Sequence, residues 1–261
     1  MIHPTAIISP SAKIAKDVKI GPYSVIGDEA EIADGVEIMS HVCIDGNTYV
    51  GEGTKIFPFA AIGFRPQDLK FNGEKSRVII GKNNSIREYV TIHPGTEKGG
   101  MKTVIGDNNL LMIGVHIAHD CIVGSNTVLA NNATFGGHVE IGDDVIVGGL
   151  SAVHQFVRIG HHAIIGGMTG VERDVIPYGA VKGDRGHLYD VNIIGLKRAN
   201  FSREEIEAVR EAYNMIFFGE KVLSENINDA EEKLKDSDGV KEIINFMRYK
   251  SHRSFCLPKG G

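Results

Sequence analysis

An apolar side chain recurs at every sixth position along most of this chain. The first run is Ile2, Ile8, Ile14, Ile20, Ile26, Ile32, Ile38, Ile44, Val50, Ile56 and Ile62. A short run, Ile80, Ile86 and Ile92, keeps the phase. A third continues through Ile105, Leu111, Ile117, Val123, Leu129, Phe135, Ile141, Val147, Val153, Ile159, Ile165 and Val171. A helix repeats every 3.6 residues and a long strand every two, so a six-residue recurrence needs a short strand followed by a tight corner. The pattern predicts a mainly β fold, a parallel β-helix of hexapeptide coils, with the recurring side chain inside. Three hexads close one triangular coil, so the chain holds roughly nine coils stacked at ~4.8 Å, a rod about 40 Å long.

Two positions before the core residue stands a small or β-branched one, as at Ala12, Ser24, Ala30, Thr48, Thr54, Ala60, Cys121, Thr127, Ala133 and Ala163. These let the corner close. The beat is interrupted twice, by Asp68 to Ile79 and by Lys98 to Val104, and insertions in a solenoid are expected as loops on one face. Beyond Pro177 the pattern changes. Ser202-Arg203-Glu204-Glu205 reads as a capping box opening a helix whose Ile206, Val209, Tyr213, Ile216 and Phe217 share a face. Helical spacing returns in Asn228 to Leu234 and in Val240 to Tyr249. The expected division is a β-helix domain over 1–187, with loops near 68–79 and 98–104, and a small helical domain over 188–261.

Composition narrows the function classes. The 42% apolar content supplies the core, and the corners account for 32 glycines without any low-complexity segment. A formal net charge of -5 and no basic stripe argue against nonspecific nucleic-acid binding. No apolar run approaches the 18 residues of a membrane span, and the N-terminus enters the repeat at once with no charged leader, so the expected location is the cytoplasm. Cys43, Cys121 and Cys256 lack CxxC spacing and read as free thiols rather than disulfide or zinc partners.

The candidate chemistry sits at one corner. Counting Ile117 as the first place of its hexad, His119 and Asp120 fall outside the core, and successive additions of 18 lead to Gly137 and Gln155. These residues should stack on successive coils along one edge, with His138 beside Gly137. A neutral imidazole can take a proton from a hydroxyl, an adjacent carboxylate can orient it, and a backbone N–H can hold an oxyanion. That is equipment for acyl transfer. Corner histidines also serve zinc in hexapeptide carbonic anhydrases, and His116, His119, His138, His154, His161 and His162 leave that reading open, although the HxxxxH pair of that family is absent. The expectation is no metal and no other cofactor. His3, His41, His93, His187 and His252 read as structural or surface residues.

Six segments carry a resemblance over nearly the whole chain: QDLK (Gln67 to Lys70), IREYVTIH (Ile86 to His93), HIAHD (His116 to Asp120), LANNATFGGH (Leu129 to His138), AVHQF (Ala152 to Phe156) and NIIGLKR (Asn192 to Arg198). In these the chain resembles the UDP-N-acetylglucosamine 3-O-acyltransferases that open lipid A biosynthesis. The resemblance implies left-handed coiling, a homotrimer, and transfer of an (R)-3-hydroxyacyl group from acyl carrier protein to the 3-OH of UDP-N-acetylglucosamine. It makes His119 the general base, Asp120 its orienting partner and the Gly137 N–H the oxyanion donor. Gln67, Asp68, Lys70, His116, His138 and Gln155 would hold sugar and pantetheine, Asn192 and Arg198 would reach the nucleotide, and Gly167 would set acyl length. The sequence departs from the family at Ile194, where relatives carry a carboxylate, and at Ala199, where they carry a second arginine. A 3-amino acceptor, the N-acyltransferase of the same pathway, and a purely structural rod are the competing readings. The N-acyltransferase carries an N-terminal uridine-binding domain, whereas here the repeat starts at Ile2.

Overall fold

In the computed structural model, which describes residues 1–259, the chain forms a left-handed parallel β-helix followed by four helices. Nearly every hexad contributes a two-residue strand whose second residue is the recurring apolar one, as in Val25–Ile26, His116–Ile117 and Thr134–Phe135. Within the coils the strands pair in parallel with those one coil away, Ile117 opposite Phe135 and Phe135 opposite Val153. The result is three sheets forming the faces of a prism. The first runs from Ile7–Ile8 to Gly170–Val171, the second from Lys13–Ile14 to Arg158–Ile159, and the third from Lys19–Ile20 to His187–Val191.

The core is the column of hexad residues: Ile26, Ile32, Ile44, Ile56, Ile62, Ile80, Ile86, Ile92, Leu111, Ile117 and Phe135 are fully buried. Burial of one such side chain is worth about 1.5–3 kcal/mol relative to exposure, so the repeat itself holds the rod together. Polar residues in the small-residue slots are satisfied within the stack, as where Asn109 Nδ2 donates to the Gly124 carbonyl and its Oδ1 accepts from Thr127. Corners turn through a left-handed residue, among them Tyr23, His41, Phe59, Asp120, His138 and Phe156, which directs each of these side chains away from the prism interior.

The insertions are shorter than the sequence pattern predicts. The tail of the first becomes the strand Arg77–Ile80 and the tail of the second the strand Lys102–Ile105, which pair with each other and continue the second sheet. The reason is that Val78 and Thr103 face inward, so the chain recovers its ladder two residues before the hexad core residue. The loops themselves touch: Glu74 of the first accepts from the Glu97 N–H, at the entry to the second, at 3.2 Å.

The last coil ends in a hairpin, Gly179–Lys182 antiparallel to His187–Val191, so a strand crosses the boundary expected at residue 187. The helices are α1 (Ile193–Arg198), α2 (Arg203–Phe218), α3 (Leu223–Lys233) and α4 (Asp238–Arg248). Ser202 caps α2 by accepting from the Glu205 N–H at 3.1 Å, but Glu205 does not close the box. Its carboxylate instead accepts from Ser237 Oγ and the Gly239 N–H, both at 2.6 Å, and so ties the first turn of α2 to the start of α4. The helical unit is clamped to the rod by Arg158, whose guanidinium lies 2.8 Å from the fully buried Asp174 carboxylate and beneath the rings of Phe246 and Tyr249. No helix among the described residues is long and apolar enough to cross a membrane.

Candidate active site

The edge between the first and second sheets carries the residues singled out by the 18-residue spacing. His119 follows the strand His116–Ile117, Gly137 follows Thr134–Phe135 and Gln155 follows Ala152–Val153, one above another. The His119 ring lies directly against Gly137: a Cβ built there would stand 2.5 Å from Cε1 and 2.7 Å from Nε2 of the imidazole. Only glycine leaves the ring where it is. The Gly137 carbonyl accepts from the Phe156 N–H at 3.0 Å, while its own N–H has no acceptor among the described residues.

Asp120 is buried and its two oxygens take three donors. Oδ1 accepts from the Thr96 N–H at 2.8 Å; Oδ2 accepts from Thr96 Oγ1 at 2.6 Å and from His119 Nδ1 at 2.8 Å. Burial works against the charge, but the hydrogen bonds from His119 and Thr96 outweigh it and hold this carboxyl below its ordinary range. Because Oδ2 is an acceptor, His119 carries its proton on Nδ1 and presents the Nε2 lone pair outward. Thr103 Oγ1 accepts from the Asp120 N–H at 2.9 Å, and Gly99 packs so closely on the carboxylate that a Cβ there would fall 1.9 Å from Cγ. Gly99 and Thr103 belong to the second insertion and Thr96 stands just before it, and sequence reasoning missed all three. Thr96 lies 24 residues before Asp120, so the 18-residue arithmetic does not connect the two.

Histidines continue along this edge. His138 sits edge-on to His119 with centroids 5.1 Å apart and stacks on Phe156 at 4.3 Å, and His252 of the C-terminal segment covers Phe156 at 5.1 Å. Burial pulls the His138 pKa down, against the raising effect of Asp120 and of the more distant Asp68. The first loop leaves the first sheet after Ala61–Ile62 and rejoins the second at Arg77–Ile80, so it springs from the same edge. On that loop Gln67 and Lys70 are exposed, Asp68 is half-buried and Leu69 is fully exposed. His116 is joined by Nδ1 to Thr91 Oγ1 at 2.7 Å, and burial followed by the His119 charge keeps it neutral-leaning, below its usual value.

His93, expected to be structural or superficial, lies in this row. It is buried, its ring is 5.0 Å from that of His116, and its Nδ1 has no hydrogen-bond partner. Burial, then the neighbouring His116 and His119, lower its pKa to about 4. The unfolded chain binds a proton here below about 6.5 and the folded chain only below about 4, so stability is full above that window and falls as pH drops through it. We expect the melting temperature between pH 6.5 and 4 to fall less in His93→Leu than in the parent, the difference amounting to up to about 3 kcal/mol of folding stability. Equal pH dependence in the two proteins would refute the assignment.

The remaining residues lie elsewhere. Gly167 is on the edge between the third and first sheets, following Ile164–Ile165, where it is exposed; a Cβ would come no nearer than 3.3 Å to the Gly149 carbonyl oxygen. Asn192 is buried, its Oδ1 capping α1 at the Gly195 N–H and its Nδ2 donating to the His162 carbonyl. Asn192 and Arg198 line a cavity of about 800 Å³ against the outer face of the third sheet. His119, Asp120 and His138 offer ligand atoms within 4.8 Å of one another and could hold a divalent metal, though both Asp120 oxygens are already engaged.

A family profile described as "Udp N-acetylglucosamine O-acyltransferase; Domain 2" matches residues 174–256, and one described as "Bacterial transferase hexapeptide (six repeats)" matches residues 102–137. The chain is 52% identical to an acyl-[acyl-carrier-protein]--UDP-N-acetylglucosamine O-acyltransferase of Caulobacter vibrioides over 99% of this chain and 98% of that one. A crystal structure of a UDP-N-acetylglucosamine acyltransferase superposes with a TM-score of 0.95 at 44% identity, covering 100% of both chains. The UDP-N-acetylglucosamine acyltransferase of Francisella novicida superposes at 0.96 with 37% identity, covering 100% of this chain and 95% of that one.

Proposed function

This chain belongs to the UDP-N-acetylglucosamine O-acyltransferase family, and from that premise we propose how its own residues perform the transfer. The reaction moves an (R)-3-hydroxyacyl chain from acyl carrier protein to the 3-hydroxyl of UDP-N-acetylglucosamine, the opening step of lipid A biosynthesis, in the cytoplasm. The observation that carries the mechanism is the His119 imidazole, joined through Nδ1 to the buried Asp120 carboxylate and packed on Gly137. His119 Nε2 takes the proton of the sugar 3-OH as its oxygen attacks the thioester carbon. The Gly137 N–H stabilises the resulting oxyanion. When the C–S bond breaks, the pantetheine sulfur leaves with the proton that His119 returns. Gln67, Asp68, Lys70, His116, His138 and Gln155, on or beside the same edge, position sugar and pantetheine, and Arg198 receives the diphosphate.

No one edge of the prism holds all of these parts. The His119 edge, the Gly167 edge and the cavity on the third sheet face different directions, so a groove containing them needs neighbouring copies of the chain. A closed three-fold assembly supplies it, with the fully exposed Leu69 reaching across. Gly167, bare and exposed, leaves room for a long acyl chain.

Purified protein given UDP-N-acetylglucosamine or its 3-amino analogue, with acyl carrier protein thioesters of several lengths, tests this reading. Transfer to the hydroxyl acceptor supports it, and absence of transfer to either, with stoichiometric zinc in the protein, would point to hydration chemistry instead. Gly167→Met, at a position with no left-handed φ but whose Cβ would press the Gly149 carbonyl at 3.3 Å, should shift the preferred acyl chain to shorter donors by about tenfold or more in relative kcat/KM, the cost of a few methylenes that no longer fit. An unchanged length profile would end the ruler assignment.

A further inference from the structure

The cavity on the third sheet has an ordered chemistry of its own. Its floor is the outward row of that sheet, Val128, Ile146, Ile164 and Ala180, which are paired with one another in successive coils. The row does not end there. Asp190, on the antiparallel last strand, is the register partner of Ala180, so it points to the same side and closes the apolar floor with a carboxylate. Arg198 lines the same cavity and makes no ion pair among the described residues. Ile194, also on the wall, is exposed and apolar and offers no polar atom.

Resting on the reading of this cavity as the nucleotide site, we propose that Asp190 accepts hydrogen bonds from the ribose hydroxyls of the bound nucleoside diphosphate. The apolar row meets the flat faces of base and sugar, Arg198 meets the phosphates, and the carboxylate meets the diol between them, a donor pair that suits an ionised acid. Asp190 is half-buried, and one of its oxygens is fixed by the Val191 N–H at 2.7 Å, leaving the other free to receive the sugar. Tyr213 lies close enough that burial and then the Asp190 charge raise its phenol pKa, so it stays protonated beside the acid. Asp144, the other carboxylate lining the cavity, is half-exposed at a corner and stands 3.8 Å from His162 Nε2, outside the floor row. The assignment makes Asp190 a determinant of affinity for ribonucleotides over deoxy analogues.

The test is calorimetric binding of UDP and of 2′,3′-dideoxyuridine 5′-diphosphate to the full chain and to Asp190→Asn, Asp144→Asn and Arg198→Ala. Asparagine keeps the acceptor for the Val191 N–H, so the fold is retained, which thermal unfolding verifies. The parent should favour UDP by about tenfold or more, the scale of a hydrogen bond to a charged group. Asp190→Asn should bind UDP about tenfold more weakly and discriminate the two ligands by no more than about twofold, while Asp144→Asn keeps the parent's preference. Full discrimination by Asp190→Asn, or its loss in Asp144→Asn alone, overturns the assignment. If Arg198→Ala leaves UDP affinity unchanged, the nucleotide reading of the cavity fails, and Asp190 with it.

Discussion

Replacing His119 by alanine lowers the turnover of acyl transfer on the order of 10²-fold or more, with the thermal unfolding of the protein little changed. The imidazole is partly exposed at a corner and contributes nothing to the hexad column, so its removal leaves the prism packed. What disappears is the proposed base, whose ring packs on Gly137. On the proposed mechanism the residual rate comes from oriented substrates and the Gly137 N–H, which the variant keeps. Turnover near that of the parent, measured at saturating UDP-sugar and acyl donor, would remove His119 from the mechanism.

Asp120→Asn should cost about as much as removing the base and no more, on the order of 10²-fold or beyond, because it reverses the tautomer of His119 and silences the same group. The Asp120 oxygens accept from the rigid Thr96 N–H, from the Thr96 hydroxyl and from His119 Nδ1. An amide has one oxygen. The backbone N–H cannot rotate, so the carboxamide oxygen must face it, and the NH₂ group is turned toward the imidazole. Nδ1 then accepts, Nε2 carries the proton, and the base is pointed the wrong way. The distinguishing readout is the pair kcat and KM: loss confined to kcat with UDP binding intact supports the tautomer argument, whereas a variant active to within a few-fold of the parent would show that the Asp120 charge and its orientation of His119 are dispensable.

The proposed catalytic corner is legible in the sequence for a simple reason. A solenoid repeats its geometry every 18 residues wherever the beat is unbroken, so His119, Gly137 and Gln155 can be aligned by counting, and Gly137 lies under the ring as the count requires. Where an insertion intervenes the count fails. Thr96, which anchors Asp120, and Thr91, which holds His116, both precede the second insertion and sit 24 and 25 residues from their partners. His93, expected to be structural or at the surface, is buried beside the His116 ring, a choice that spacing alone does not make. Glu205 shows the same limit at the helical end: its place in a capping box is local, but its carboxylate finds better donors at the start of α4.

The sequence by itself determined the prism, because every sixth side chain must be apolar to fill an axis that three faces share, and it determined that His119, Gly137 and Gln155 share one edge. Only the tertiary structure decided what holds His119 in one tautomer, where the second loop closes over Asp120, and that an acid from the last hairpin completes the floor of a cavity facing another edge. These depend on contacts between segments whose separation obeys no period, and distance in space, not position in the repeat, sets their chemistry.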